Sequence, residues 1–196
     1  MDWLLFTVIG YLIGSISSAV LVSRMMGLPD PRMEGSKNPG ATNVLRLGNK
    51  AAAAFTLIGD LLKGTVAVLL AASISANPLA IAGAAAGAFL GHLFPVFFQF
   101  KGGKGVATAL GVFLGISPLL GLALALTWLI TALVFRFSSL AAIVAAASAP
   151  AWAWWATANT VYILLALSLG VILIWRHQAN IGRLMSGTES RIGKKS

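Results

Sequence analysis

Apolar residues in this chain come in long blocks, and the loops between the blocks hold nearly all the charge. Blocks of about 18 or more apolar residues predict membrane-spanning helices. The first covers residues 3–23 and ends at Arg24; Asp2 but no Lys or Arg precedes it, so it lacks the basic n-region of a cleaved signal peptide. The second covers 51–76 and is interrupted by Asp60 and Lys63, and the third, rich in Gly and Ala, covers 78–100. After a basic turn at 101–104 come apolar stretches at 105–135, 139–157 and 160–175, then a basic tail from Arg176.

The stretch 105–135 would run roughly 46 Å as one helix at ~1.5 Å per residue, longer than a ~30 Å hydrocarbon core. Ser117-Pro118 lies inside it and can open a turn. Sidedness decides between one span and two. Lys and Arg collect on the cytoplasmic side, and they occur here in the loop 24–50, at 101–104, at Arg136 and in the tail. Only a hairpin at Pro118 puts every basic loop on one face. The expected fold is therefore an all-α integral membrane protein of about seven segments. Its N-terminus lies outside, its C-terminus is cytoplasmic, and its short arm near 105–116 packs against protein or a polar pocket. Residues 1–196 are expected to form a single membrane-embedded domain.

Composition removes the soluble alternative. Hydrophobic residues make up 58% and charged residues 10%, against about 25% charged in soluble domains, and the mean hydropathy is +0.89. Lys and Arg number 14 against 5 Asp and Glu, a formal +9. Such a bias suits nucleic acid, anionic head groups or a small polyanionic substrate. Positive-inside bias alone accounts for Arg136, Arg191, Lys194 and Lys195. With no cysteine there is no thiolate nucleophile and no Cys metal site. The acids stand at 2, 30, 34, 60 and 189, too scattered for a multi-carboxylate metal cluster. No metal or cofactor is implied.

The remaining cations sit among glycines. The loop 30–46 reads DPRMEGSKNPGATNVLR. Gly35, Pro39 and Gly40 break helix, and Ser36, Asn38, Thr42 and Asn43 offer short polar groups. Such turns point backbone N–H groups into one concavity that holds phosphate. Thr42 or Asn43 is expected to cap a following helix, with Lys37 and Arg46 adding charge. The loop 91–108 reads GHLFPVFFQFKGGKGVAT, and Lys101-Gly102-Gly103-Lys104-Gly105 has the make-up of an anion-holding turn. It is not a nucleotide P-loop, since Phe98 and Gly105 occupy positions that require Gly and Ser or Thr. In the tail RHQANIGRLMSGTES, His177, Asn180 and Arg183 recur at spacing three and share a helical face, after which 187–189 turn the chain. His92 reads as a packing residue bonded to a neighbour. Asp60 and Lys63, spaced i, i+3, form either a structural pair or part of a polar pocket reaching the cytoplasmic face.

These motifs in this order, with GSISSAVLVSR before them, closely resemble the bacterial membrane acyl-phosphate:glycerol-3-phosphate acyltransferase (PlsY) family over nearly the whole chain. The resemblance implies transfer of a fatty acyl group from acyl phosphate to the sn-1 hydroxyl of glycerol-3-phosphate, giving lysophosphatidic acid and phosphate. This would be a first step of phospholipid biosynthesis at the bacterial cytoplasmic (inner) membrane, with the active site facing the cytoplasm. It implies no cofactor, and hand-over of acyl phosphate from the soluble enzyme that makes it. Neither His92 nor His177 has Asp five residues on, so the HxxxxD motif of other glycerol-phosphate acyltransferases is absent.

On this resemblance Gly35, Ser36, Asn38, Gly40, Thr42 and Asn43 would cradle the acyl phosphate. Arg46 and Lys104 would bind the phosphate of glycerol-3-phosphate, with Gly102 and Gly103 shaping that turn. Gly10, Gly14, Gly83 and Gly87 would let helices pack closely. His177 would be the general base, with Asn180 positioning the hydroxyl or stabilising the oxyanion, unless the leaving phosphate takes the proton. Both possibilities stand. A lipid-phosphate or organic-anion transporter is the rival class, but the halves show no internal repeat and the polar motifs gather on one face. Nucleic-acid binding is excluded as weakest, because the aromatics lie in the spans.

Overall fold

The computed structural model describes residues 2–193, so Lys194 and Lys195 lie outside the described residues. The chain divides into two compact units, Met1–Ile116 and Ser117–Ser196. In the first, α1 (Asp2–Gly14) and α2 (Ser18–Met25) are followed by the short α3 (Ala41–Arg46), then α4 (Lys50–Ile74), α5 (Pro78–Leu93) and α6 (Val106–Ile116). In the second come α7 (Pro118–Phe135), α8 (Ser138–Thr157), α9 (Thr160–Arg176) and α10 (Gln178–Met185). Among the described residues five helices or helix runs are long and apolar enough to cross a membrane. A sixth is reached if α9 and α10, bent by 59°, count as one.

Local chemistry sets these ends. Asn49, Asn77 and Asn159 cap α4, α5 and α9 by accepting from Ala52, Leu79 and Val161 backbone N–H groups. Ser117 caps α7 and Pro118 opens it, so the long stretch 105–135 does break where its proline stands. The short arm α6 packs against α4. Thr65 Oγ1 donates to the Gly111 carbonyl at 2.9 Å, and a Cβ on Gly64 would meet Val112 N at 3.0 Å.

Two expected spans are interrupted. The first breaks at residues 15–17, where Ser15 Oγ bonds back to Tyr11 O at 2.8 Å and accepts from Val96 N at 3.3 Å. The third stops as helix at Leu93, because Pro95 has no N–H and bars Phe94 from the helical region. Beyond it lie a 3-10 turn (Val96–Phe98) and two left-handed residues, Gln99 and Phe100.

The packing is that of a membrane protein. Leu5, Val8 and Leu12 on α1 are exposed while Phe6, Gly10 and Gly14 are buried. Where α1 crosses α5 the backbones nearly touch. A Cβ on Gly14 would sit 2.7 Å from Ala88 Cα, and one on Gly87 2.8 Å from Tyr11 N. Gly10 and Gly83 face the opposite backbone in the same way. The four glycines thus serve the close packing expected of small residues between lipid-embedded helices.

Candidate functional site

In the first unit the two glycine-bearing loops meet. Asn43 braces the loop 30–40 from inside: its side chain is buried, accepts from Ser36 N at 2.9 Å, and donates to the carbonyls of Pro31 (2.9 Å) and Glu34 (3.0 Å). That brace explains Gly35, since its φ is +58° and a Cβ there would strike Asn43 Oδ1. The cap expected at Thr42 or Asn43 falls instead at Gly40, with both residues inside α3. Gly40 has the extended backbone of a cap residue and, without a side chain, makes no side-chain capping bond. Ser36, Thr42 and Arg46 are exposed, and Asn38 and Gly40 are half-buried.

Arg32, which sequence reasoning passed over, clamps this loop to the next. Its Nη2 lies 2.6 Å from Asp30 Oδ2 and its Nε 3.0 Å from Oδ1, while its guanidinium stands 5.7 Å from the Phe98 ring centroid and Nη1 reaches Phe98 O at 3.5 Å. This hydrogen-bonded fork holds the Asp30 carboxyl below the usual carboxylate range and raises Arg32. The pair is internally matched. Lys37, Arg46 and Lys101 are exposed, and Lys104 is half-buried.

The turn 102–104 lies across the C-terminal end of α5. Gly103 N donates to His92 O at 3.1 Å. A Cβ on Gly102 would collide with the carbonyls of His92 and Leu93, and one on Gly103 would strike His92 Nε2 and come 3.2 Å from Pro39 O. The Pro39 contact and the Arg32 clamp bring the loop that holds Gly35, Ser36, Asn38 and Gly40 against the turn of Gly102 and Gly103; Thr42, Asn43 and Arg46 follow the loop on α3, and Lys104 follows the turn. His92 is buried at 7% exposure, and its Nδ1 lies 3.5 Å from Asp60 Oδ1. Asp60 also holds Lys63 at 2.9 Å, so the i, i+3 pair forms as the spacing indicated.

In the second unit His177 stands at the bend between α9 and α10, 3% exposed, with Nδ1 2.8 Å from Leu173 O. A carbonyl only accepts, so Nδ1 carries the proton and Nε2 has the lone pair of the neutral ring. Asn180 Nδ2 donates to Glu189 Oε1 at 2.7 Å, Ser139 Oγ to the same oxygen at 2.7 Å, and Arg183 Nε to Oε2 at 2.7 Å. Burial raises the Glu189 carboxyl, but these bonds outweigh it and hold it below its ordinary value. Glu189 thus ties Asn180 and Arg183 of α10 to Ser139 of α8. Sequence reading had placed it only in a turn. The available signal was a lone acid beside a spaced His, Asn and Arg. Arg136, assigned to orientation alone, also pairs with the tail: Ile192 N donates to Arg136 O at 2.7 Å and Arg136 Nη2 to Ile192 O at 3.2 Å.

Helices long and apolar enough to cross a membrane, with polar glycine-bearing loops carrying half-buried and exposed cations, define a class: a polytopic membrane protein suited to an anionic substrate. Known proteins narrow this class. The family model described as glycerol-3-phosphate acyltransferase matches residues 4–187. A glycerol-3-phosphate acyltransferase of Methylococcus capsulatus is 54% identical over all of this chain and 98% of its own length, and one of Burkholderia multivorans is 57% identical over all of this chain and 93% of its own. A crystal structure of PlsY, an integral membrane glycerol 3-phosphate acyltransferase in its glycerol 3-phosphate form, matches with a TM-score of 0.92 at 38% identity. That match covers 98% of this chain and 96% of the other. The lysophosphatidic acid form of PlsY matches at 0.90 and 37%, with the same coverage. The chain belongs to the glycerol-3-phosphate acyltransferase family and is an integral membrane acyltransferase of phospholipid synthesis.

Proposed function

We propose that this chain, as a single acyltransferase domain over residues 1–196, moves a fatty acyl group from acyl phosphate to the sn-1 hydroxyl of glycerol-3-phosphate. The products are lysophosphatidic acid and inorganic phosphate, released at the cytoplasmic face of a bacterial inner membrane. The observation that carries this reading is the contact of the two glycine loops at Gly103 and Pro39, with Lys104 following the one and α3, which ends at Arg46, following the other. Gly35, Ser36, Asn38, Gly40 and Thr42 offer backbone and hydroxyl donors to the acyl phosphate, and Asn43 holds that loop in shape. Lys104 and Arg46 take the phosphate of glycerol-3-phosphate on the turn made by Gly102 and Gly103. The acyl donor is handed over by the soluble enzyme that makes it.

Acyl phosphate is a mixed anhydride, already activated. The glycerol oxygen attacks the carbonyl carbon, the bond from that carbon to the phosphate oxygen breaks, and phosphate leaves. The hydroxyl proton goes to His177 Nε2 or to a phosphate oxygen. Because His177 Nδ1 is engaged by Leu173 O, Nε2 is the nitrogen that would receive it, while Asn180, held by Glu189, stabilises charge on the reacting oxygen.

Purified chain in detergent micelles is expected to make lysophosphatidic acid from acyl phosphate and glycerol-3-phosphate, and not from acyl-CoA or acyl carrier protein. Micelles have no compartments, so a transporter makes no product there. His177→Ala separates the two proton routes. A kcat loss of about 100-fold or more marks the base, whereas near wild-type kcat with a raised KM assigns the proton to phosphate.

A further inference from the structure

Asp60, Lys63 and His92 form a buried polar chain in the first unit, with side-chain exposures of 4%, 6% and 7%. Charges inside a span are expensive and persist for a reason. Lys63 has one of its own: its Nζ bonds Ile16 O at 2.8 Å, where the break between α1 and α2 leaves a carbonyl without a helical partner, and it pairs with Asp60 at 2.9 Å. Those two contacts already balance Lys63 against Asp60. His92 is not needed for that balance, yet its Nδ1 faces Asp60 Oδ1 and its Nε2 faces Gly103. A planar ring with a nitrogen at each end is suited to carrying an orientation from one to the other. Gly103 lies against the ring so closely that no Cβ fits, with Pro39 O on its other side.

We propose that His92 is a positioning residue for glycerol-3-phosphate: oriented by Asp60, it fixes the backbone of the turn 102–104 and so the place of the phosphate bound there. This rests on the reading of that turn as the glycerol-phosphate site. Lys63 fixes Asp60, Asp60 sets the ring, and the ring sets the turn. None of the three touches substrate. Their effect falls on the affinity for one substrate and leaves the other unchanged.

The test uses the full chain in detergent with acyl phosphate and glycerol-3-phosphate. His92→Phe keeps a ring and removes both nitrogens. It should raise KM for glycerol-3-phosphate about tenfold or more, with KM for acyl phosphate and the melting temperature near wild type. His92→Gln, which keeps a polar group towards the turn, should fall between the two. Asp60→Asn should raise the same KM, and should add little in the His92→Phe background because both act on one chain of contacts. A wild-type KM for glycerol-3-phosphate in His92→Phe overturns the proposal. So does a parallel rise in both KM values with a lowered melting temperature, which marks a merely structural histidine. If His92→Phe does not fold, His92→Gln decides by the same criteria, and failure of both to fold likewise assigns a structural role. Lys104→Ala separates this from the parent reading. If it leaves KM for glycerol-3-phosphate unchanged, the turn is not the phosphate site. If it raises that KM while His92→Phe does not, only the present inference fails.

Discussion

An amine buried in an apolar span needs acceptors, and Lys63 has two, Ile16 O and Asp60 Oδ1. Lys63→Met removes the donor and leaves a buried carboxylate and an open carbonyl, which should lower stability by about 3–5 kcal/mol. Thermal unfolding in detergent reads this. Glu189 poses the opposite case, an acid with three donors. Its folded-state carboxyl titrates below the ordinary value of 4.5, so the stability it contributes is fully present above about that pH. This stability is lost as pH falls through the lower folded value. Melting of the wild type should therefore weaken on acidification below pH ~4.5 by more than that of Glu189→Gln. Near neutral pH the variant should already be less stable by about 1–3 kcal/mol, since its amide can no longer accept at both oxygens.

Helix contacts make a second set of demands. Gly14→Ala drives a Cβ into the backbone of Ala88, where nothing flexible can yield. A loss of about 1–3 kcal/mol is expected for such overpacking, seen as a lower melting temperature. Gly182 in α10 is the contrast, because nothing lies within 4 Å of a Cβ there. Gly182→Ala should be neutral or stabilise by up to about 1 kcal/mol through helix propensity. Apolar block length located α4, α7, α8 and α9 in the sequence, and Ser117-Pro118 located the break between α6 and α7. What was not legible is instructive. The break at residues 15–17 carries no proline, and the partners met there, Val96 N at Ser15 and Lys63 Nζ at Ile16 O, lie far along the chain. Pairings across long sequence distance, such as Arg32 with Phe98 or Ser139 with Glu189, leave no periodic trace. The loop residues were proposed from composition. Asn43's work as a brace could be read only from its three hydrogen-bond partners.

For the molecule as a whole, the proposed reading divides the +9 between orientation in the membrane and phosphate binding. The proposed sidedness is open to direct measurement because the chain has no cysteine. Met33→Cys, in the loop before α3, should resist a membrane-impermeant thiol reagent applied from outside and react after permeabilisation. Ala76→Cys, between α4 and α5, should react from outside at once. The reverse pattern would invert the orientation. During synthesis, the carbonyl of Ile16 emerges well before the helix that carries Lys63, and His92 follows later still. Lys63 thus arrives when the Ile16 carbonyl is already present, and His92 when Asp60 is. Asp60 and Lys63 arrive together, one turn apart, as a neutral couple rather than two bare ions. The same break that interrupts the first span thereby eases the entry of the second.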